Sequence, residues 1–153
     1  MDSLAGVDAA SRSKAWQSAA AAIKSSAPGA LVEWVVPAGV TLADVKAEYP
    51  GDDVVDMISV DLVRSANATW VDQVNRDGGL NDLAGWAASR SKTLSLHWSL
   101  GDQGNASSAD AWVQNVHDWI ARQRSAGVLA YEAYGELRKM ADSSGAATYR
   151  RLF

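Results

Sequence analysis

Three carboxylates in apolar surroundings are the residues of this 153-residue chain whose setting best suits chemistry. Glu132 lies in the segment VLAYEAY, and Asp61 lies in VVDMISVDLV. A buried carboxylate must be paired or hydrogen-bonded, so each is either part of a site or the structural partner of an arginine or a backbone N–H. With Glu33, in a third apolar segment, they could form the carboxylate pair that acid–base chemistry uses.

The two histidines have different settings. His97 lies in an apolar run and could act as a base near neutral pH, bind a ligand or partner, or be a structural residue with satisfied hydrogen bonds. His117 lies in a helical segment, where we expect an exposed or partly packed side chain. Because the chain has two histidines and no cysteine, we predict no metal and no cofactor.

Tryptophan is unusually frequent, with seven residues. Indole rings bring a large apolar area, so core packing is the first interpretation. Trp34 and Trp98 lie near the ends of predicted strands. There they either pack in the core or present a flat ring on which a sugar could stack.

Composition limits the possible partners. Fourteen Lys and Arg against eighteen Asp and Glu give a net charge of −4 without a basic block, which argues against nucleic-acid binding. No run approaches the ~18 apolar residues of a membrane span. The N-terminus lacks the pattern of a secretory signal. The protein therefore stays in the cytoplasm, leaves by another route such as a virion, or is a fragment.

Apolar runs rich in β-branched residues alternate with helical patterns. The runs predict strands over residues 30–36, 54–63, 93–100 and 128–134. Helices are predicted over residues 11–27, 41–48, 80–90, 109–124, 135–142 and 146–153, with a further short helix before Gly78. We expect Ser11 or Ser13 to cap the first helix, Thr41 the second and Ser108 the helix over 109–124.

This alternation predicts an α/β fold with a parallel sheet covered by helices. Four βα units make half of an eightfold barrel, which typically takes ~250 residues. We therefore expect a partial TIM barrel, a half barrel in which residues 11–153 form one domain after a flexible lead-in of residues 1–10. An open, doubly wound sheet is the alternative.

Four segments resemble one enzyme family. They are Trp34-Val35-Val36-Pro37, YPGDDVVDMISVDL (49–62), KTLSLHWSLGDQGN (92–105) followed by ADAWVQNVHDWI (109–120), and the ending AATYRRLF. In this order they resemble the C-terminal half of glycoside hydrolase family 26 and related clan-A, mannanase-like (β/α)8 barrels. The resemblance covers roughly residues 12–153 and implies that fold.

The resemblance also implies where catalytic residues would lie. The family's nucleophile is the Glu of a Glu-Trp-Gly motif on the seventh strand, and its general acid ends the fourth strand, which the resemblance does not cover. Aligned on Trp98, His97 stands at the nucleophile position and Ser99 replaces the glycine. Further departures on the same rim are Val35, Val36 and Ala38 in the fifth strand and Val63 and Arg64 in the sixth.

These departures predict a catalytically inactive glycoside-hydrolase-like module, or pseudoenzyme. Its role would be structural, in an assembly such as a phage virion, or carbohydrate binding through Trp34, Trp98 and His97. The alternative is an active hydrolase of β-mannan or β-glucan whose missing half comes from another chain.

A half barrel leaves two unpaired strand edges and one uncovered sheet face. We therefore predict a homo-oligomer or a larger protein assembly, with polysaccharide as a possible ligand. The strands look apolar on both faces, so one helical layer should not cover them, and we expect Trp16 and Phe153 to plug the inner face. The residues concerned are Val36, Ile58, Val60, Leu94, Leu96, Leu129 and Tyr131.

Overall fold

The computed structural model describes residues 7–64, 69–101, 109–135 and 144–153, over which strands and helices alternate. The strands are β1 (Glu33–Pro37), β2 (Met57–Val63), β3 (Thr93–Ser99) and β4 (Leu129–Tyr134). The helices are α1 (Ala9–Ser26), α2 (Leu42–Glu48), α3 (Trp70–Asn75), α4 (Leu80–Ser89), α5 (Ala109–Ser125) and α6 (Ala146–Leu152). No helix in these ranges has the length and apolar character needed to cross a membrane.

The four strands form one sheet in the order β1-β2-β3-β4, and every pairing is parallel. This confirms the predicted α/β fold with sequential parallel strands. β1 begins at Glu33 and β2 at Met57, both later than predicted; before β2 the turn extends further along the chain. The N–H of Val55 still donates to the carbonyl oxygen of Gly51 at 3.2 Å, so Val54 and Val55 belong to that turn.

The helices agree closely with their predictions, apart from the first residue and the capping residue of α1. α1 begins at Ala9 because Asp8 caps it, with the Ser11 N–H donating to Asp8 Oδ1 at 2.9 Å, so the prediction of Ser11 or Ser13 as the cap was wrong. Residues 9 and 10 therefore belong to α1, and residues 1–6 lie outside the described ranges. The predicted cap Ser108 and the predicted helix over 135–142, except Gly135, also lie outside them.

The main core lies between the sheet and the helices that follow its strands. The buried strand residues on this side are Trp34, Val36, Ile58, Val60, Leu62, Leu94, Leu96 and Trp98. They pack against buried residues of α4 and α5, among them Leu83, Val116, Trp119 and Ile120. The buried strand positions alternate, as side chains of a strand point to opposite faces in turn.

The opposite face of the sheet, here called the inner face, is largely polar. Ser59, Asp61, Ser95 and His97 occupy the alternate positions of the two central strands. The prediction of strands that are apolar on both faces was therefore wrong, because the apolar residues cited for it nearly all share the helix-covered face. Between β3 and β4 a register irregularity leaves Leu129 beside Leu94 but places Tyr131 beside Ser95, on the inner face.

The expected plugs of the inner face lie elsewhere. Phe153 belongs to the helix-covered side, where its ring centroid is 5.9 Å from that of Trp98. Trp16 lies on α1, beside the free edge of β1. α1 is held by ion pairs from Arg12 to Glu48 and from Lys24 to Asp56. Its only buried residue is Ala20, so most of its apolar face stays open.

Candidate functional site

Five polar side chains gather on the inner face, and we call them the inner polar cluster: Glu33, Ser59, Ser95, His97 and Tyr131. Glu33 begins β1, Ser59 lies in the middle of β2, Ser95 and His97 lie two residues apart in β3, and Tyr131 lies in β4. Each strand thus contributes to the cluster. The parallel pairing aligns Ser59, Ser95 and Tyr131 in one row across three strands.

Glu33 is the centre of this cluster. The Tyr131 hydroxyl donates a hydrogen bond to Glu33 Oε1 at 2.7 Å, and the Ser95 hydroxyl donates to the same oxygen. His97 Nε2 lies 3.3 Å from the Tyr131 hydroxyl oxygen and 3.7 Å from Glu33 Oε1. One carboxylate therefore connects the first, third and fourth strands across the inner face.

The cluster keeps Glu33 ionised. Burial opposes the charge, but hydrogen bonds from Ser95 and Tyr131 and the nearby His97 outweigh it, so the pKa of Glu33 lies below its usual value. Burial, together with the hydrogen bond and negative charge of Glu33, raises the pKa of Tyr131. Tyr131 is therefore a stable hydrogen-bond donor, and Glu33 is a stable acceptor, across the neutral pH range.

Ser59 completes the cluster from below. Its side chain is fully buried, and its hydroxyl makes no hydrogen bond within the described residues. It lies near enough to Glu33 to contribute to the lowered pKa of that carboxylate, although outside hydrogen-bonding geometry. Ser59 thus adds to the inner face a buried hydroxyl group that has no hydrogen-bond partner among the described residues.

His97 lies on the inner face, as a ligand-binding residue would. Its side chain is about one-third exposed, at 32%. Its ring is tilted by 42° to that of Tyr131, with centroids 5.9 Å apart. Tyr131 itself is 37% exposed, so the two rings form an open aromatic surface beside an ionised carboxylate. Such a surface suits a hydroxyl-rich ligand that both stacks and donates hydrogen bonds.

The carboxylate pair suggested by the sequence is not assembled. Glu132 points to the helix-covered side, where its Oε2 accepts a hydrogen bond from Trp98 Nε1 at 2.8 Å. Asp61 is on the inner face and exposed, but Glu33 is in register with Met57, four residues earlier. Four strand residues span ~13 Å, well beyond the ~5–5.5 Å between the carboxyl groups of a retaining glycosidase. Glu132 is instead a structural partner of an indole N–H.

The assignment of Trp34 and Trp98 to sugar binding is corrected by their burial, since stacking needs an open ring face. Trp34 is 5% exposed and packs edge-on against Tyr49 and Trp86. Trp98 is 1% exposed, with the Tyr134 ring 4.8 Å away between centroids. Both indole rings therefore pack in the core, the other role considered for them. Of the three residues proposed for binding, His97 alone has an accessible ring.

Ser95 and Tyr131 are members of the site that sequence reasoning missed. Tyr131 was counted among apolar core residues, and Ser95 was hidden in the run TLSLHWSL. The available signal was the two-residue alternation, because Ser95 and His97 both interrupt the apolar pattern at positions that must share one face. Within the described ranges, no three acidic or histidine side chains come together in a way that could hold a metal ion.

Comparison with known proteins supports the barrel interpretation. No family model matches the chain, and no curated protein matches it. Among solved structures, it is similar to the catalytic domain of the GH26 endo-β-1,4-mannanase of Bacillus sp. JAMB-750, with a TM-score of 0.67 and 17% sequence identity. The match covers 85% of this chain and 36% of the mannanase chain.

The fold is therefore that of a partial (β/α)8 barrel, built from four sequential parallel strands. The chain spans little more than a third of the length of the mannanase chain that it matches. At 17% identity the likeness establishes the fold, and the function must be argued from the inner face itself.

Proposed function

We propose that this chain is a glycoside-hydrolase-like half barrel that does not cleave glycosides by itself and serves as an assembly or carbohydrate-binding module. The observation that supports this is the inner polar cluster, which contains one carboxylate where retaining hydrolysis needs two. Glu33 is already engaged by Ser95 and Tyr131, and an imidazole stands where the resemblance implies a nucleophilic glutamate.

The inner polar cluster offers a binding surface without a cleavage apparatus. Glu33 accepts hydrogen bonds, and the accessible rings of His97 and Tyr131 provide apolar faces and polar edges. Sugars present both features, since their hydroxyls donate to carboxylates and their C–H faces pack on rings. β-1,4-linked mannan and glucan oligosaccharides are the substrates to test, because the structural neighbour is an endo-β-1,4-mannanase.

The test combines product analysis with calorimetry. The 153-residue chain is incubated with β-mannan and β-glucan oligosaccharides, and the products are resolved by chromatography. We expect no cleavage by the wild type or by the His97→Glu variant, because one restored carboxylate does not supply a general acid. Turnover by either protein would overturn the proposal.

Binding is measured in parallel by isothermal titration. Binding that disappears in Glu33→Gln, and persists in Asp118→Asn as a control at an exposed carboxylate of α5, supports the carbohydrate-binding role. The absence of both binding and cleavage supports the assembly role. Binding that survives the loss of Glu33 would show that the inner polar cluster is not the site.

A second candidate is an active hydrolase completed by another chain. It is favoured by the partial coverage of the mannanase catalytic domain, 36%, and by the lowered pKa of the partly exposed Glu33. This alternative predicts that the chain purified with its natural partners cleaves β-mannan, and that Glu33→Gln in the same preparation abolishes cleavage. Cleavage that survives Glu33→Gln would exclude a catalytic role for Glu33.

A further inference from the structure

A groove of about 510 Å³ separates α1 from the free edge of β1. One wall is the apolar face of α1, including Trp16 and Ile23, and another includes Val35 of β1. Residues of α2, among them Val45 and Glu48, also line the groove. Ile23 is 46% exposed and Val35 is 41% exposed. α1 thus lies across the groove from the sheet, and most of its apolar face is exposed.

The backbone of β1 shows what kind of occupant this groove suits. The Ala38 N–H donates to the Asp61 carbonyl at 2.9 Å, so Ala38 and the alternate residue Val36 direct their backbone groups towards β2. The N–H and C=O groups of Glu33 and Val35 then point the other way, into the groove. An occupant that satisfies these groups must itself be an extended strand.

Among the described residues no strand lies beside the outer edge of β4, and the backbone groups of this edge alternate in the phase that pairs with β1. The Gly135 N–H donates to the Trp98 carbonyl at 2.9 Å, so Gly135 and the alternate residue Ala133 direct their backbone groups towards β3. Glu132 therefore directs its backbone groups outwards. This edge offers a parallel strand the same arrangement that β1, β2 and β3 offer to their following neighbours.

We propose that a second copy of this chain fills the groove, with its β4 paired in parallel against β1. A two-fold axis along the barrel axis preserves the parallel orientation of the strands, so the reciprocal pairing forms a second, identical seam. The eight strands then close a barrel and leave no free sheet edge. This inference names the partner for the assembly role proposed above and rests on that role. Closing the barrel would enclose the inner polar cluster of both copies, so the dimer excludes the alternative in which that cluster binds a polysaccharide.

The two seams supply about two-thirds of the area that a standard interface takes from each partner. At 1.5 Å per residue, the 18 residues of α1 extend for ~27 Å, and a helix presents a face ~10 Å wide. Counting a similar area beside β4, each protomer contributes roughly 500–600 Å² through the seams, before the inner faces are added. A standard interface takes ~800 Å² from each partner.

The first test introduces charge into the groove. Ala19→Arg places a cation on the groove wall, whereas Ala21→Arg makes the same substitution on the opposite face of α1, where Ala21 is exposed. Light scattering at micromolar concentration should give the wild type and Ala21→Arg twice the 16.2 kDa mass of the chain. Ala19→Arg, checked for native circular dichroism, should weaken dimerisation at least tenfold. A monomeric wild type, or equal effects of both variants, would overturn the proposal.

The second test is a disulfide trap, which the absence of native cysteine makes specific. In the proposed seam Ala133 of one copy lies beside Val35 of the other, both on the inner face, so Val35→Cys and Ala133→Cys together should give a covalent dimer on oxidation. Within one protomer they lie on the first and fourth strands, too far apart for a disulfide. The control pair of Val35→Cys and Ala21→Cys should give no covalent dimer. Equal cross-linking of both pairs, or none, would contradict the proposed seam.

Neither result depends on whether glycosides are cleaved, so the assembly and the missing hydrolysis are judged separately.

Discussion

The hydrogen bond from Trp98 to Glu132 should contribute measurably to stability, since the structure makes Glu132 a structural residue. Trp98 is 1% exposed, and its Nε1 donates to Glu132 Oε2 at 2.8 Å. Glu132→Leu leaves that donor buried without an acceptor. The cost of such a group is about 1–3 kcal/mol. The added apolar contact of leucine offsets part of it, so we expect a loss of ~1–2 kcal/mol.

Two further variants isolate the bond itself. Glu132→Gln keeps an oxygen acceptor near the indole and should cost under ~1 kcal/mol, since the bond loses only its charge assistance. Trp98→Phe removes the donor, so Glu132→Leu should be nearly neutral in that background. The double-mutant cycle should then give a coupling of ~1–2 kcal/mol.

Urea denaturation at neutral pH is the assay, with thermal melting as a second measurement. For a chain of this size a change of 1 kcal/mol corresponds to a shift in Tm of roughly 2–4 °C. A coupling below ~0.5 kcal/mol, or a Glu132→Leu variant as stable as the wild type, would show that Glu132 is not needed to satisfy the indole. The proposed structural role of the Glu132 carboxylate would then be wrong.

Three other predictions concern separate parts of the chain. The fold lowers the pKa of the Glu33 carboxyl below its ordinary value of 4.5. The ionised carboxylate therefore stabilises the fold above pH 4.5, and this stabilisation is lost as the pH falls through the lower pKa of the folded state. In Glu33→Gln the urea midpoint should lose that part of its dependence on acid pH. Gly78→Ala should cost more than ~1 kcal/mol, because Gly78 has φ +68° and a Cβ there would lie 2.0 Å from the Val40 carbonyl oxygen. The control Gly85→Ala, with open space inside α4, should stabilise by ~0.5–1 kcal/mol in the same denaturation assay. Thr41→Ala should cost ~1 kcal/mol through loss of the α2 cap, whereas Thr41→Ser should retain most of the stability in thermal melts.

The order of elements was predictable because it depends on local pattern. Apolar runs bounded by turn residues marked all four strands, and Thr41 was correctly assigned as the cap of α2. The limits of β2 were less accurate, since the extent of the preceding turn depends on a hydrogen bond from Val55 to Gly51 that the pattern does not reveal.

The site was less predictable because it depends on which face each strand residue occupies. The sequence drew attention to Glu33 and His97, and the structure brings these two together. The sequence does not show that Glu132 lies on the other face of the sheet from Glu33 and His97, because the register irregularity between β3 and β4 has no sequence signal. That irregularity is what places Tyr131 on the inner face and leaves Glu132 beside the core.

The strand order β1-β2-β3-β4 has a consequence for biosynthesis. Each strand pairs with the strand that emerged from the ribosome just before it, so no pairing waits for a distant part of the chain. Parallel pairing across long loops is slow, since closure entropy must be overcome before contacts form. Here β1 and β2, whose paired residues Glu33 and Met57 are separated by one short helix, can associate while β4 is still untranslated. The sheet then grows at a single edge, and each new βα unit is added to a surface already formed.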